Sequence, residues 1–312
     1  MATYGAFAGV AATLRTASSG YFWARLCFGA FSRIAPGAAA WALHALYRRP
    51  ALTRRYSRRE RALLRDAATL LKGAERLDTP VVTRTGRGVL RAYHFRSDGQ
   101  TRGLALLLHG WTADARAMAA FIGPLVAAGY DALVVDLPAH GGSSGVVTDA
   151  ESGADAVASM LAARGLTPDH VIGHSFGGAV SSVLAAAGAT PRSVVSIAAP
   201  SAMAAALDEL ALAYALSDAA RARLLARAGR LSGRPLDEYD VRRIWRARDS
   251  AILVIHAPED DSVSYTHAER FRALPNARLA PTHGVGHREI VRHQACIEAT
   301  MAHITSVDRV AI

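Results

Sequence analysis

The chain has 312 residues, 51% of them apolar and 20% charged, the balance of a globular protein with one large core, or one core and an appendage, rather than of a disordered or fibrous chain. Its two cysteines, Cys27 and Cys296, exclude a disulfide framework and fit no metal spacing, which points to a reducing, cytoplasmic compartment. The net charge of +10 is uneven: residues 1–80 hold 13 Arg or Lys against 4 Asp or Glu, the remainder 23 against 22.

Residues 1–78 read as a basic helical N-terminal extension. Residues 6–12 are apolar, but no positive segment precedes them and Arg15 follows, so no targeting signal is expected. Tyr21 to Tyr47 is apolar and aromatic, yet Arg25, Arg33 and Pro36 interrupt it, short of the ~18 uninterrupted apolar residues of a spanning helix. Ser57-Arg58-Arg59-Glu60 reads as a capping box. Behind it Leu63, Leu64, Ala67, Leu70 and Leu71 form a stripe at helical spacing, with Gly73 as the expected C-cap. Two expectations follow for residues 1–72: a solvated basic face on helices packed against the main domain, or peripheral contact with an anionic membrane.

From residue 79 to 312 strands alternate with helices. Val81–Thr85 and Val89–Phe95 read as an opening antiparallel pair through Gly86 and Gly88. Short apolar runs follow at Leu104–Leu108, Ala132–Val135, His170–Ile172, Ser193–Ala198, Ile252–Ile255 and Ala277–Ala280. Helices are expected near 115–128, 151–163, 177–187, 265–273 and 288–304. The pattern predicts an α/β fold with a mostly parallel eight-stranded sheet covered on both faces. Residues 200–249 break the rhythm with helices near 203–216 and 218–230, a small cap insert placed to form a lid.

The chemistry-bearing residues follow strand ends. Leu104–Leu108 runs into His109-Gly110-Trp111-Thr112, where Gly110 permits a close turn and the Trp111 N–H can point at a developing oxyanion. His109 reads as a structural residue. Asp136-Leu137-Pro138-Ala139-His140-Gly141 makes a tight turn in which Asp136 and His140 are expected to be structural. Gly173-His174-Ser175-Phe176-Gly177-Gly178 lies between a strand and a helix, the setting of a strained turn that exposes the serine hydroxyl. Ser175 is therefore the expected nucleophile, and the N–H of Phe176 the second oxyanion donor. A serine needs a base; His287, in Thr282-His283-Gly284-Val285-Gly286-His287, is the candidate, with His283 as rival. The base needs a carboxylate; Asp260, in Glu259-Asp260-Asp261-Ser262-Val263, is chosen for its spacing to Val263, with Asp261 as alternative. The order Ser175, Asp260, His287 has gaps of 85 and 27 residues.

Over residues 80–305 these pieces resemble the α/β-hydrolase superfamily, and their wording is similar to a group of bacterial hydrolases with a basic helical N-terminus. The resemblance implies an α/β-hydrolase fold, a Ser175–His287–Asp260 triad and acyl hydrolysis, without naming a substrate. Ser264 stands where the family has proline. The leading expectation is a carboxylic-ester hydrolase acting on a small-molecule ester, with no cofactor and no metal. Thioester hydrolysis or acyl transfer use the same apparatus, and a ligand-binding protein without catalysis is the alternative of another class. Nucleic-acid binding is not expected, since the arginines lie without interleaved aromatics. Oligomeric state is not legible.

Overall fold

A computed structural model describes residues 19–50 and 58–310. Residues 6–12, Arg15 and Ser57, and with Ser57 one half of the expected capping box, lie outside the described residues. Among those described, eight strands form one sheet in the order β1-β2-β4-β3-β5-β6-β7-β8. They are β1 (Glu75–Thr83), β2 (Gly86–Phe95), β3 (Leu104–Leu108), β4 (Asp131–Asp136), β5 (His170–His174), β6 (Ser193–Ile197), β7 (Ala251–His256) and β8 (Ala277–Pro281). β2 is antiparallel to both β1 and β4, and every other pairing is parallel. β3, β4, β5 and β6 are buried at every position, as expected of central parallel strands with helices on both faces.

β1 begins at Glu75, so the last four residues read from sequence as helical extension pair with β2. Their charged side chains conceal the strand: Asp78 sits opposite Arg91 and accepts from its guanidinium at 2.7 and 3.0 Å. Three expected helices are shorter than their patterns. Residues 115–121 are 3-10 and only Ile122–Ala127 is α, since Pro124 offers no N–H to the turn before it. Thr266–Glu269 passes into a 3-10 turn at Arg270, and the final helix starts at Gln294 after a 3-10 turn at Ile290–Arg292.

The extension contributes α1 (Ser19–Ile34), α2 (Pro36–Tyr47) and α3 (Arg58–Leu71). α3 turns Ala67 and Leu71 inward, with Leu64 half-buried, while Leu63 and Leu70 are exposed on its flank. The stripe is thus narrower than its five apolar residues suggested. The insert contains α4 (Met203–Ala213), α5 (Asp218–Ser232) and α6 (Val241–Arg246), numbering here only the helices of extension and insert. Ala40 and Leu43 of α2 pack with Ala211, Leu216, Ala220 and Leu224 of the insert in a small core separate from those of the sheet. α1, α2 and the insert therefore pack as one helical layer, while α3 packs against the sheet core through Leu71.

Candidate active site

Ser175 stands directly after β5 with φ 51° and ψ −115°, a left-handed region that a non-glycine residue occupies only under strain. Its own N–H donates to the carbonyl of Ile197 at 2.8 Å, tying the turn to β6. Only small neighbours permit so sharp a corner. A Cβ on Gly177 would lie 2.2 Å from the carbonyl oxygen of Leu108, and one on Gly110 would lie 2.8 Å from Nδ1 of His174 and 3.2 Å from Cβ of Ser175. The following helix, Phe176–Ala186, points its N-terminus at the serine, which favours negative charge there.

The structure brings Ser175, His287 and Asp260 together. Nε2 of His287 lies 3.0 Å from Oγ of Ser175 and its Nδ1 lies 2.7 Å from Oδ2 of Asp260. Asp260 also accepts from the N–H groups of Ser262 and Val263 at 2.8 and 2.9 Å. Burial opposes its ionisation, but hydrogen bonds from His256 and His287, with the charge of His287 and the Val263 N–H, outweigh it and hold the carboxyl far below the usual carboxylate range. Asp261 instead meets the Ser262 hydroxyl, and His283 pairs with Glu259 at 2.9 Å on the surface. Where proline is usual, Ser264 accepts from the N–H and hydroxyl of Thr266 at 3.3 and 2.9 Å. The serine hydroxyl thus ties the turn to Thr266, the first residue of the short helix that follows.

Trp111 and Phe176 line one cavity with the serine, their rings meeting edge-on at 4.8 Å. The loop that carries Trp111 is pinned from behind: His140 donates from Nδ1 to the carbonyl of Pro138 and accepts the Thr112 N–H at Nε2, at 3.0 and 3.2 Å. His109 accepts the Leu137 N–H at 3.0 Å. Asp136 accepts from the N–H groups of Ala115 and Gly142 at 2.7 and 2.8 Å. These three residues hold loops in place.

Four contributors escaped the sequence reading. Nε2 of His174 donates to the backbone carbonyl of His287 at 2.8 Å, fixing the loop that presents the imidazole. Burial and the nearby His287 lower the His174 pKa to about 3, so it stays neutral. His256 lies with Nε2 3.4 Å from Asp260 and 3.0 Å from the carbonyl of Val263. Tyr47 comes from the extension and stacks on the indole of Trp111. Glu151 is buried near the start of the helix Ala150–Arg164. Burial, reinforced by Asp149, raises its pKa to about 7. His174 and His256 are marked by position, one directly before Ser175 and the other four residues before Asp260; Tyr47 and Glu151 carry no local mark.

Ser175 opens on two cavities. One of about 240 Å³ is walled mostly by apolar groups, among them Trp111, Phe176, Met203, Leu207 and Tyr47, with Glu151 also on its lining. The other, of about 300 Å³, is more polar and includes Glu60, Thr112, Asp114, His287 and Arg292. A serine held against a base, with a cavity on either side, can accept the two halves of a substrate whose reacting carbon sits at Oγ.

Comparison with known proteins agrees with this architecture. The chain is 36% identical over 91 residues to a 2-hydroxy-6-oxo-6-phenylhexa-2,4-dienoate hydrolase from Burkholderia cepacia, a match spanning 27% of this chain and about a third (32%) of that relative. Among solved structures, an esterase from Exiguobacterium antarcticum superposes with a TM-score of 0.53 at 16% identity, covering 75% of this chain and 100% of the esterase. A bromoperoxidase from Bacillus anthracis gives 0.55 at 17%, covering 73% and 100%. Likeness at such identities concerns the fold alone. Residues 105–299 match the model of the alpha/beta hydrolase family, and with its sheet order and strand-end loops the chain belongs to that family.

Proposed function

We propose that this protein is a serine esterase that cleaves carboxylic esters through an acyl-enzyme. The observation that carries the reading is the run of contacts from Ser175 Oγ to His287 Nε2 at 3.0 Å, and from His287 Nδ1 to Asp260 at 2.7 Å, at a strained turn between two cavities. In this mechanism Ser175 Oγ attacks the ester carbonyl carbon while His287 Nε2 takes its proton. Asp260 remains ionised, holds the Nδ1–H tautomer and stabilises the imidazolium. The N–H groups of Trp111 and Phe176 receive the oxyanion. His287 then returns the proton to the leaving alcohol, and a water activated by the same nitrogen releases the acid. The apolar lining of the smaller cavity suits a hydrocarbon acyl chain.

The test is turnover of short p-nitrophenyl esters together with fluorophosphonate labelling. The wild-type protein is expected to hydrolyse the esters and take up the label, and Ser175→Ala to lose both by a factor of at least about 10³ while melting as a folded protein. Undiminished turnover in that variant overturns the assignment. Labelling without turnover of esters, and with turnover of matched thioesters, would move the substrate class and leave the nucleophile unchanged.

A further inference from the structure

α1 is amphipathic in the reverse of the usual sense. Phe28, Gly29 and Ser32 face the protein: Phe28 meets Tyr214 edge-on with centroids 5.5 Å apart, and Ser32 accepts at its hydroxyl and its carbonyl from the N–H and hydroxyl of Ser217 at 2.9 and 2.8 Å. Arg25 adds a bond to the carbonyl of Leu212 at 2.9 Å. The opposite half of the helix, which should be polar on a solvated surface, presents Phe22, Trp23, Leu26, Phe31 and Ile34. Phe22, Trp23 and Ile34 are 62%, 58% and 84% exposed, and Trp41 on α2 is 56% exposed. So many large apolar groups along two consecutive helices exceed the scattered exposure of an ordinary surface.

The charge of the sequence segment that carries this face selects what covers it. No Asp or Glu precedes Glu60, whereas nine arginines do. A second copy would bring two such segments together, with like charge opposed. No helix among the described residues is long and apolar enough to cross a membrane. An anionic bilayer surface answers both features, offering acyl chains to the aromatic groups and phosphate to the arginines. The face also adjoins the candidate active site: α2 exposes Trp41 and Leu46, and on its other side His44 and Tyr47 line the apolar cavity that reaches Ser175.

We infer that the exposed faces of α1 and α2 seat this protein on anionic lipid bilayers, with the apolar cavity opening beside the contact. This goes beyond the esterase reading and stands without it, because the contact uses no residue of the site. The experiment is flotation of the full-length protein with phosphatidylcholine vesicles, with and without phosphatidylglycerol. Wild type is expected to bind the anionic vesicles about tenfold or more tightly than the zwitterionic ones, and less well as salt is raised. Phe22→Ser/Trp23→Ser/Ile34→Ser is expected to weaken that binding by about tenfold or more, with melting and turnover of a soluble short ester unchanged. Bromine-labelled acyl chains should quench the tryptophan fluorescence of wild type, and much less that of Trp23→Phe/Trp41→Phe, a milder change that preserves the apolar surface. Ser175→Ala should bind like wild type, which separates this inference from the esterase reading. Equal binding by the triple variant and wild type, or no binding to either vesicle, overturns it. So does a dimer in solution that the triple variant dissociates, which would make a second copy the occupant.

Discussion

The ring of Tyr47 lies parallel to the indole of Trp111, centroids 5.6 Å apart and planes 8° from coincidence. The pair joins the last turn of the N-terminal extension to the loop that lines the cavities beside Ser175. Phe176 meets the same indole edge-on at 4.8 Å, so the residue after the nucleophile and the extension press on Trp111 from two sides. A second clamp lies one residue on, where Arg48 pairs with Asp149 at 2.7 Å. The extension is therefore part of the wall of the site.

Removing the Tyr47 ring should loosen that loop more than it unfolds the protein. Stacked pairs contribute about 0.5–1.5 kcal/mol beyond their buried area, a modest share of total stability, while loss of position at an oxyanion donor costs more in rate. Tyr47→Ala is expected to lower kcat/KM on short esters about tenfold with only a small fall in Tm, and Tyr47→Phe to retain nearly full activity. Steady-state kinetics on the two variants checks this; equal rates for wild type and Tyr47→Ala would show the stack to be dispensable.

Glu151 should make stability depend on pH in a direction unusual for a carboxylate. Burial raises its pKa to about 7, above the ordinary value near 4.5, so the folded state holds a proton that the unfolded chain releases. Stability is then fully present below about pH 4.5, declines as pH rises through 7, and is level above it. Glu151→Gln removes the dependence. It is expected to stabilise the protein at pH 8 by up to about 3 kcal/mol and to give no gain at pH 4. Urea denaturation of both proteins at the two pH values is the measurement.

What was legible in the sequence was whatever the backbone itself repeats or strains. β3, β4 and β7 carry short apolar runs, and β5 and β6 apolar pairs between polar residues, and the corner at Ser175 needs glycines whose spacing survives in the letters. Asp260 and His287 are readable because the loops after β7 and β8 end on one edge of the sheet. The walls of the site are less legible, since a wall is made by packing rather than by local chemistry. α2 is a short helix of alanine, leucine and aromatic residues, and nothing in Pro36–Tyr47 says that its last turn reaches Trp111. Glu151 reads as an ordinary acid in the first turn of a helix, where the dipole favours it; only the three-dimensional fold buries it. Leu63 and Leu70 show the converse, apolar residues in a periodic stripe that the fold leaves in the open.

Acid should destabilise the protein early. Burial lowers the pKa of His44 and His170 to about 4, and that of His140 and His174 to about 3 with further repulsion from neighbouring histidines. For each, the unfolded chain binds a proton near the ordinary 6.5 that the folded chain refuses, so the associated stability is complete above about pH 6.5 and is lost as pH falls toward 4 and 3. Over that range these four protons outweigh the single opposite one of Glu151. The urea midpoint is expected to fall steeply between about pH 6 and pH 4. His170→Gln, far from Ser175 on the strand's opposite end, should flatten the fall without altering turnover at pH 8. A midpoint level down to pH 4 would contradict these burial effects.

Gly110 offers a test of how closely the chain must pass beneath the nucleophile. An added methyl would stand 2.8 Å from Nδ1 of His174 and 3.2 Å from Cβ of Ser175, closer than ordinary packing allows. His174 cannot yield freely, because its other nitrogen holds the carbonyl of His287 at 2.8 Å. The displacement must then pass to the Trp111 N–H on one side or to the His287 imidazole on the other. Either shift damages the transition state more than the bound ester, so the loss should appear in kcat rather than KM. Gly110→Ala is expected to reduce kcat by about 10²-fold, the scale of a misplaced oxyanion donor, and to cost about 1–3 kcal/mol of stability from overpacking. Kinetics and urea melts on one preparation separate the two effects. Unchanged kcat with lowered stability would mean that the strain relaxes away from the site, and that the close passage at Gly110 serves folding alone.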